Sequence, residues 1–282
     1  MKRGEFELIE QEAPKLKAAE LEPIESEEIE LKPGNSLKLN GLSVKKVIRK
    51  SMSLIFDVKF CKFCSEKEIY KYGICKDCLS KIEILDSKRI IGDEFICFSA
   101  AFYNNYLRDV FTEFKFEQKS AYCDVFAAVL AEYIRRKNEL NECSWIGYIP
   151  MTGRKEVLRG YNPVLLMARE ICEKLNIPLI HILKKTKATK EQNKLSKIDR
   201  DINLKGVFRI SEDYGFCEVE NFDKTINIRH GKVSLEDLKH SRGILLDDFL
   251  TSGNTMNEAM HTLHEYGISV FGVTLAVSRL ER

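Results

Sequence analysis

Two adjacent carboxylates and a run of small hydroxyl residues stand together in GILLDDFLTSGNT, residues 243–255. The segment begins as an apolar strand, reaches Asp247 and Asp248, and continues into a loop that holds one glycine. Backbone N–H groups of such a loop, its hydroxyl groups and the start of the following helix can together bind one phosphate. Adjacent carboxylates repel a phosphate but accept hydrogen bonds from vicinal sugar hydroxyls. The stretch therefore indicates a site for a ribose 5-phosphate.

In this interpretation Asp247 and Asp248 hold the sugar hydroxyls. The predicted phosphate loop consists of Thr251, Ser252, Gly253, Asn254 and Thr255. The alternative is a helix cap at Asp248 and a solvated strand end at Asp247, which would suit an isolated pair of aspartates. The hydroxyl residues favour the ligand site over that alternative. The motifs GxGxxG and GxxxxGK[ST], which mark dinucleotide and nucleoside triphosphate sites, do not occur in the sequence.

A second set of reactive side chains lies near residue 70, where four of the nine cysteines form two C-x2-C pairs. They are Cys61, Cys64, Cys75 and Cys78. This spacing places two thiolate pairs on two turns and can complete a tetrahedral shell around a metal ion. Zinc is favoured, and iron stays open because the spacing alone does not decide between them. Four ligands close the shell, so we expect structural zinc. The lysines and aromatic residues interleaved in KFCSEKEIYKYGICK leave nucleic-acid or partner binding as the alternative.

The elements that must position these residues are predicted to form a doubly wound α/β domain. Apolar residues recur at helical spacing in residues 120–136, which predicts one buried helix face. Strand WIGYI, helix VLLMAREICEKL and strand LIHIL follow, and GILLDD, MNEAMHTLHEY and ISVFGVTLAV repeat that order. This alternation predicts a mostly parallel sheet with helices on both faces. Ligands of such sheets gather at the carboxyl ends of the strands, where Asp247 and Asp248 are expected.

Three segments are expected along the chain of 282 residues. Residues 1–45 contain repeated glutamates and three of the six prolines, and we expect a disordered, flexible acidic tail there. Residues 46–92 form the predicted four-cysteine zinc module, and residues 93–282 form the α/β domain. Within that domain, residues 184–242 are too long for an ordinary connection and are predicted to form a hood or insertion.

Charge and hydropathy narrow the function classes. The net charge is +2, but residues 1–34 hold ten Glu against five Lys or Arg, so the remainder carries about +7. A mildly basic domain suits phosphorylated ligands or nucleic acid, while a solvated lysine-rich surface explains the excess equally well. The apolar runs fall short of the ~20 residues that cross a bilayer, and the N-terminus lacks the apolar core of a secretory signal. We expect a cytoplasmic protein with no membrane span.

The stretch ILLDDFLTSGNT resembles the phosphoribosyl pyrophosphate-binding motif of type I phosphoribosyltransferases. Beyond this motif, residues 60–277 are similar to the ComF family of competence-associated phosphoribosyltransferase-like proteins, which carry an N-terminal four-cysteine zinc finger. The similarity rests on the cysteine module and on the stretches AAFYNNYLRDVFTEFKF, IPMTGRKEVLRGYN and LKKTKATKEQNKLSKIDRDINLKGVF. The chain departs from the family pattern at Tyr148 and Pro163, where proline and glutamine are usual, and residues 211–242 exceed the usual connection.

The resemblance implies the type I phosphoribosyltransferase fold and a reaction in which pyrophosphate leaves C1 of the ribose while Mg²⁺ bridges pyrophosphate and sugar oxygens. Arg154, Lys155 and Arg159 would stabilise the leaving pyrophosphate, and three solvated basic side chains are the alternative. Candidates for the hood or for nucleic-acid contacts are Lys115, Gln192 and Arg200.

Two functions stay open at this point. The first is transfer of a phosphoribosyl group from phosphoribosyl pyrophosphate to an unidentified nitrogenous acceptor. The second is a non-catalytic role in DNA uptake, with single-stranded DNA and other DNA-uptake proteins as partners. Residues 184–205 contain eight basic and three acidic residues, a balance that suits either closure over a phosphorylated ligand or contact with a nucleic-acid backbone.

Overall fold

The computed structural model describes residues 60–92, 94–116, 121–186, 206–213, 215–220 and 231–279. The tail predicted over residues 1–45 lies outside these ranges, as do Gln192, Arg200 and the side chains of Arg154 and Lys155. Within these ranges, every helix is too short or too polar to cross a membrane.

Ten strands are present among the described residues. They are β1 (Ile84–Ile91), β2 (Phe95–Phe102), β3 (Trp145–Tyr148), β4 (Leu179–Ile180), β5 (Leu183–Lys185), β6 (Phe208–Ile210), β7 (Phe216–Glu220), β8 (Lys232–Ser234), β9 (Arg242–Leu250) and β10 (Ser269–Val277). Eight of them form one sheet in the order β1-β2-β10-β9-β3-β4-β7-β8. The central strands β2, β10, β9, β3 and β4 are parallel, and both edges are antiparallel. The predicted mostly parallel sheet is confirmed.

Helices cover both faces of this sheet. The helices are α1 (Lys76–Ser80), α2 (Asn105–Phe116), α3 (Tyr122–Arg136), α4 (Asn138–Asn141), α5 (Gly153–Arg159), α6 (Pro163–Leu175), α7 (Leu235–Lys239) and α8 (Asn254–Glu265). Helices α2, α3 and α6 pack on one face in the larger core cluster. Helices α7 and α8 and the ribbon of β5 and β6 lie over the other face. Because both faces are covered, the buried positions of the central strands are mostly apolar, and the buried hydroxyls of Ser99 and Thr274 hydrogen-bond to each other over 2.7 Å.

Local sequence signals explain where α6 begins and ends. Asn162 accepts hydrogen bonds from the backbone N–H groups of Val164 and Leu165, and Pro163 occupies the first helical turn of α6. The helix ends where Asn176 adopts a left-handed conformation with φ of 58°. The buried face predicted for residues 120–136 is also confirmed, since the apolar positions of α3 are buried.

A close approach between β3 and β9 depends on a glycine. The Trp145 side chain is fully buried, and a Cβ atom at Gly243 would lie 2.3 Å from its ring. Only glycine leaves room for the indole, whose Nε1 donates a hydrogen bond to Ser241 Oγ over 3.0 Å. This contact sets the lateral position of β9 and therefore of the acidic pair at its far end.

One predicted strand differs from the structure, and two predicted segments contribute strands to the main sheet. The stretch LIHIL was predicted as one strand, but β4 ends at Ile180 and β5 pairs with β6 in a separate ribbon. The hood predicted over residues 184–242 also contributes β7 and β8 to one edge of the main sheet. Strand β1 lies inside the segment predicted as the zinc module, yet it pairs with β2 of the main sheet. The segment boundaries stay predictions.

Candidate functional site

The acidic pair lies near the carboxyl end of the central strand β9. Strand β9 continues through Asp247 and Asp248 as far as Leu250, so it is longer than the predicted GILLDD, and the loop that follows is shorter. Asp247 is in register with Thr274 of β10. On the other side, the N–H group of Ile149 donates a hydrogen bond to the Leu246 carbonyl over 2.9 Å. Both neighbours of β9 therefore end at the same edge of the sheet as the acidic pair.

The turn after β9 leads directly into α8. Gly253 adopts a left-handed conformation with φ of 78°, and a Cβ atom there would lie 3.1 Å from Ile91 Cγ2. The left-handed conformation therefore favours glycine at this position, and a Cβ atom would in addition need Ile91 to shift slightly. The turn makes Asn254 the first residue of α8, which is 12 residues long. The backbone N–H groups at its first turn and the positive end of its dipole face this loop, which favours an anion.

The acidic pair and the loop line one cleft of about 200 Å³. Its lining residues run without interruption from Asp247 to Met256. Two larger cavities, of about 470 and 340 Å³, lie elsewhere: one beside the cysteine module and one at the amino ends of β9 and β10. The smaller cleft is the candidate site because it combines carboxylates, hydroxyls and a helix N-terminus at the carboxyl edge of a parallel sheet.

Backbone hydrogen bonds fix the orientation of both carboxylates. The N–H group of Asp248 donates to Asp247 Oδ1 over 2.8 Å. The N–H group of Phe249 donates to Asp248 Oδ1 over 2.7 Å. One oxygen of each carboxylate is thereby hydrogen-bonded to the strand backbone. These hydrogen bonds fix the orientation of both side chains.

Burial strongly affects the charge of Asp247. Burial and the neighbouring charge of Asp248 raise the pKa of Asp247 to about 8, although the N–H group of Asp248 and the ammonium groups of Lys115 and Lys185 oppose this rise. The folded protein therefore favours the protonated form of Asp247 over a wider pH range than a free aspartate does. The pair then carries less negative charge than two free aspartates, which reduces its repulsion of a phosphorylated sugar.

Lys115 neutralises the second carboxylate. Its Nζ forms an ion pair with Asp248, and both side chains are about one-fifth exposed. The same Nζ lies 4.7 Å from the ring centre of Phe111 and 5.4 Å from that of Phe249. The two rings and the carboxylate hold the ammonium group in place. Lys115, predicted as a hood or nucleic-acid candidate, is thus located at the end of α2 and against the acidic pair.

Arg159 approaches the same carboxylates from the loop after β3. Its guanidinium carbon lies 4.7 Å from the ring centre of Phe116. Burial lowers the pKa of Arg159, and the charge of Asp248 opposes this shift. Arg159 is the last residue of α5, a helix that sequence analysis did not predict. The charge of Asp248 therefore acts on Arg159, whose role in binding pyrophosphate stays a prediction.

Sequence analysis did not identify Lys185 as part of this site. It ends β5, its Nζ lies 5.4 Å from the ring centre of Phe208, and its charge acts on Asp247. The available signal was the basic start of the hood, but the ribbon of β5 and β6 that directs this lysine toward β9 could not be predicted from the pattern.

The four paired cysteines form a single cluster. Their sulfur atoms all lie within 4.8 Å of one another. Burial opposes ionisation of Cys61, but N–H groups of Cys64, Cys75 and Phe63 lower its pKa to about 6. Burial raises the pKa of Cys78 to about 12. Four thiols in this compact arrangement suit a soft or borderline cation, and the donor set is complete without a water ligand.

The cysteine module packs directly on the α/β domain. Phe63, which stands between the first two cysteines, contacts Tyr122 and Phe126 with ring centres 4.9 and 5.7 Å apart. Lys62 forms an ion pair with Asp124 over 2.7 Å. The module shares one hydrophobic core with α2 and α3, so its integrity and that of the domain are linked.

Comparison with known proteins agrees with this architecture. A family model described as the phosphoribosyl transferase domain matches residues 165–282. Over 224 residues the chain is 27% identical to Competence protein F of Haemophilus influenzae, covering 77% of this chain and 85% of that protein. The ComF resemblance and, with the observed sheet order, the type I phosphoribosyltransferase fold are confirmed.

Two solved structures are similar at low sequence identity. Orotate phosphoribosyltransferase from Aeropyrum pernix is 14% identical with a TM-score of 0.29, covering 70% of this chain and 77% of that chain. Adenine phosphoribosyl transferase from Trypanosoma brucei, in complex with AMP, pyrophosphate and ribose-5-phosphate, is 13% identical with a TM-score of 0.30, covering 55% and 64%. At this level of similarity neither carries a conclusion about the site.

Proposed function

We propose that this ComF-like protein, with its phosphoribosyl transferase domain, binds phosphoribosyl pyrophosphate together with Mg²⁺ in the cleft between β9 and α8. One observation carries the proposal: a backbone-anchored pair of carboxylates and an anion-binding helix start line the same cleft. The match to the phosphoribosyl transferase domain supports the identity of the ligand. The 5-phosphate is assigned to residues 251–255 and the ribose hydroxyls to Asp247 and Asp248.

The basic residues around the cleft suit the negative charge of the pyrophosphate group, the part of the ligand that remains to be bound. Lys115 forms an ion pair with Asp248, the charge of Asp248 also acts on Arg159, and the charge of Lys185 acts on Asp247. Mg²⁺ prefers oxygen ligands, and its site would combine ligand oxygens with the carboxylate side of the cleft. When bound, the ion would offset negative charge that builds on the pyrophosphate.

Transfer to a nitrogenous acceptor would break the bond between C1 of the ribose and the pyrophosphate oxygen, which keeps the electron pair. The acceptor nitrogen would form the new bond to C1 and lose a proton. In such a reaction the residues of this chain bind and orient the sugar and stabilise the departing charge. Arg154, Lys155 and Arg159 are assigned to the pyrophosphate. The name of the Haemophilus relative, Competence protein F, supports a role in competence, which we propose for this chain as well.

The first prediction concerns Asp247→Asn. We expect at least tenfold weaker binding of phosphoribosyl pyrophosphate with Mg²⁺ in calorimetry, because the cation would favour the ionised form of Asp247, which an amide cannot adopt, and a hydrogen bond to a charged group contributes about 1.5–3 kcal/mol. The same variant should be more stable at pH 7, by on the order of 2 kcal/mol in urea unfolding. The reason is that the folded-state pKa of about 8 lies above the usual 3.8. Between these values the unfolded chain holds fewer protons, so wild-type stability falls as pH rises.

The matched control is Asp213→Asn, which alters an exposed aspartate paired with Lys232 and should change neither property at the cleft. Loss of affinity together with gained stability identifies a ligand-binding carboxylate. Wild type that fails to bind, or Asp247→Asn that binds equally well, would contradict the proposal. Pyrophosphate release in a screen of nucleobases and amines tests transfer, and its absence with every acceptor would restrict the protein to binding.

We also propose that the cysteine cluster holds one structural Zn²⁺. The four sulfur atoms within 4.8 Å of one another support it, as does the packing of Phe63 into the domain core. A metal at this position would hold the two turns of the module together and thereby keep Phe63 in place.

The second prediction is that Cys78→Ser loses stoichiometric zinc in native mass spectrometry and unfolds at lower temperature than wild type. Cys143→Ser is the control, because Cys143 is equally buried but lies outside the cluster. It should keep its zinc. Wild type purified with no metal, or Cys78→Ser with full zinc content, would refute the assignment.

A second candidate function is binding of single-stranded DNA by the cysteine module. Phe60 and Tyr70 are 57% and 59% exposed on this module, near Lys71 and the exposed Lys76. Exposed aromatic rings beside lysines can stack on bases while the lysines contact phosphates. The proposed partners in this role are single-stranded DNA and other DNA-uptake proteins.

The third prediction follows from this surface. Replacing Phe60 and Tyr70 together by alanine should weaken salt-sensitive binding of a labelled oligothymidylate about tenfold or more, as loss of stacking is worth about 1–3 kcal/mol per base. Tyr266→Ala, at a ring 45% exposed elsewhere on the domain, is the control. Fluorescence anisotropy that detects no binding at low salt would remove this candidate.

A further inference from the structure

Four polar side chains form a continuous hydrogen-bonded chain beside the loop after β3. The hydroxyl of Tyr148 lies 3.0 Å from His181 Nδ1, and His181 Nε2 lies 2.9 Å from Glu220 Oε1. Arg169 donates from Nε and Nη2 to the two oxygens of Glu220, each over 2.7 Å. The rings of Tyr148 and His181 meet edge to face with centres 5.6 Å apart. We call these residues the Tyr148–Arg169 network.

The charge states of the network are compatible with these hydrogen bonds. Burial raises the pKa of Tyr148 to about 12, so its hydroxyl keeps the proton and can donate to His181. Hydrogen bonds from Arg169 and His181 lower the pKa of Glu220 against the effect of burial, so it remains a carboxylate. The carboxylate accepts from both neighbours, and Arg169 binds it through two parallel hydrogen bonds.

The network joins four parts of the chain: three secondary-structure elements and one connection between strands. Tyr148 is the last residue of β3, His181 lies between β4 and β5, Glu220 ends β7, and Arg169 lies on α6. Glu220 belongs to the long stretch 211–242, which sequence analysis did not place in the sheet. Tyr148 and this stretch are both departures from the family pattern, and in the structure they meet through His181.

Residues of the Tyr148–Arg169 network lie in the elements on both sides of the loop of residues 150–162. The loop begins two residues after Tyr148 and ends at the N-cap of α6, the helix that carries Arg169. Between these ends, α5 is weakly held, since Val157 and Leu158 are 83% and 79% exposed. Thr152, which is among the described residues, stands at the N-cap of α5, but its side chain makes no hydrogen bond to the first turn of that helix. The placement of Arg159 therefore depends on how firmly the ends of the loop are fixed.

We infer that Tyr148, His181, Glu220 and Arg169 are positioning residues that hold both ends of loop 150–162 and so fix Arg159 relative to Asp248. The consequence for ligand affinity rests on the proposed function, whereas the consequence for the loop does not. A network that only stabilised β7 would have no selective effect on this loop. The two cases are distinguishable by local measurement.

The fourth prediction is the effect of Tyr148→Phe, which removes one hydroxyl and keeps the ring. Hydrogen–deuterium exchange of peptides over residues 150–162, measured without ligand, should become several-fold faster while exchange in α3 and β10 stays unchanged. The dissociation constant for phosphoribosyl pyrophosphate with Mg²⁺ should rise about fivefold to tenfold. Glu220→Gln should give similar changes, and the double variant should not exceed the larger single effect, since both break one chain of contacts.

Tyr133→Phe is the matched control. The Tyr133 hydroxyl is also buried and lies 3.3 Å from both Asp86 Oδ1 and the Ser87 carbonyl, far from this loop. This control should leave exchange of residues 150–162 unchanged.

Unchanged loop exchange in Tyr148→Phe, or a uniform increase across the whole domain, would overturn the inference. Faster loop exchange with unaltered affinity would overturn its link to Arg159. If wild type does not bind phosphoribosyl pyrophosphate but Tyr148→Phe selectively loosens the loop, the proposed function fails and the positioning role stands.

Discussion

The partial burial of two adjacent carboxylates at the end of a central strand is the constraint on which the site depends. A buried aspartate beside another charge is unfavourable unless it is protonated, paired or hydrogen-bonded. All three solutions occur here: Asp247 has a raised pKa, Asp248 pairs with Lys115, and backbone N–H groups anchor both side chains. A structure that only needed a stable strand end would place apolar or exposed residues there. The acidic pair is therefore better explained by the proposed ligand site than by the stability of the strand end.

The surrounding elements each supply one part of that environment. Lys115 lies on α2, Arg159 lies in the segment after β3, and Lys185 lies on the ribbon of β5 and β6. The glycine turn before α8 directs a helix N-terminus at the same cleft. These basic groups come from separate parts of the chain, so their convergence is a property of the sheet order rather than of any single motif.

Much of the fold could be predicted from periodicity, because helices with one apolar face and fully buried strands leave regular patterns. The acidic pair and its loop were also readable, since they lie within one short stretch. The ends of the elements were less predictable: β9 runs two residues beyond Asp248 because β10 continues to pair beside it. Strands β7 and β8 were missed because their polar residues alternate with only a few buried ones. The Lys115–Asp248 ion pair joins positions 133 residues apart. Spacing in the sequence gives no signal for such a contact.

A crystal structure with phosphoribosyl pyrophosphate and Mg²⁺ tests the central claim most directly. We expect the 5-phosphate within hydrogen-bonding distance of backbone N–H groups of residues 251–255, and the ribose hydroxyls on Asp247 and Asp248. We also expect Lys115 or Arg159 to contact the pyrophosphate. Ligand density in either larger cavity, or a bound sugar turned away from the two aspartates, would contradict the assignment of this cleft.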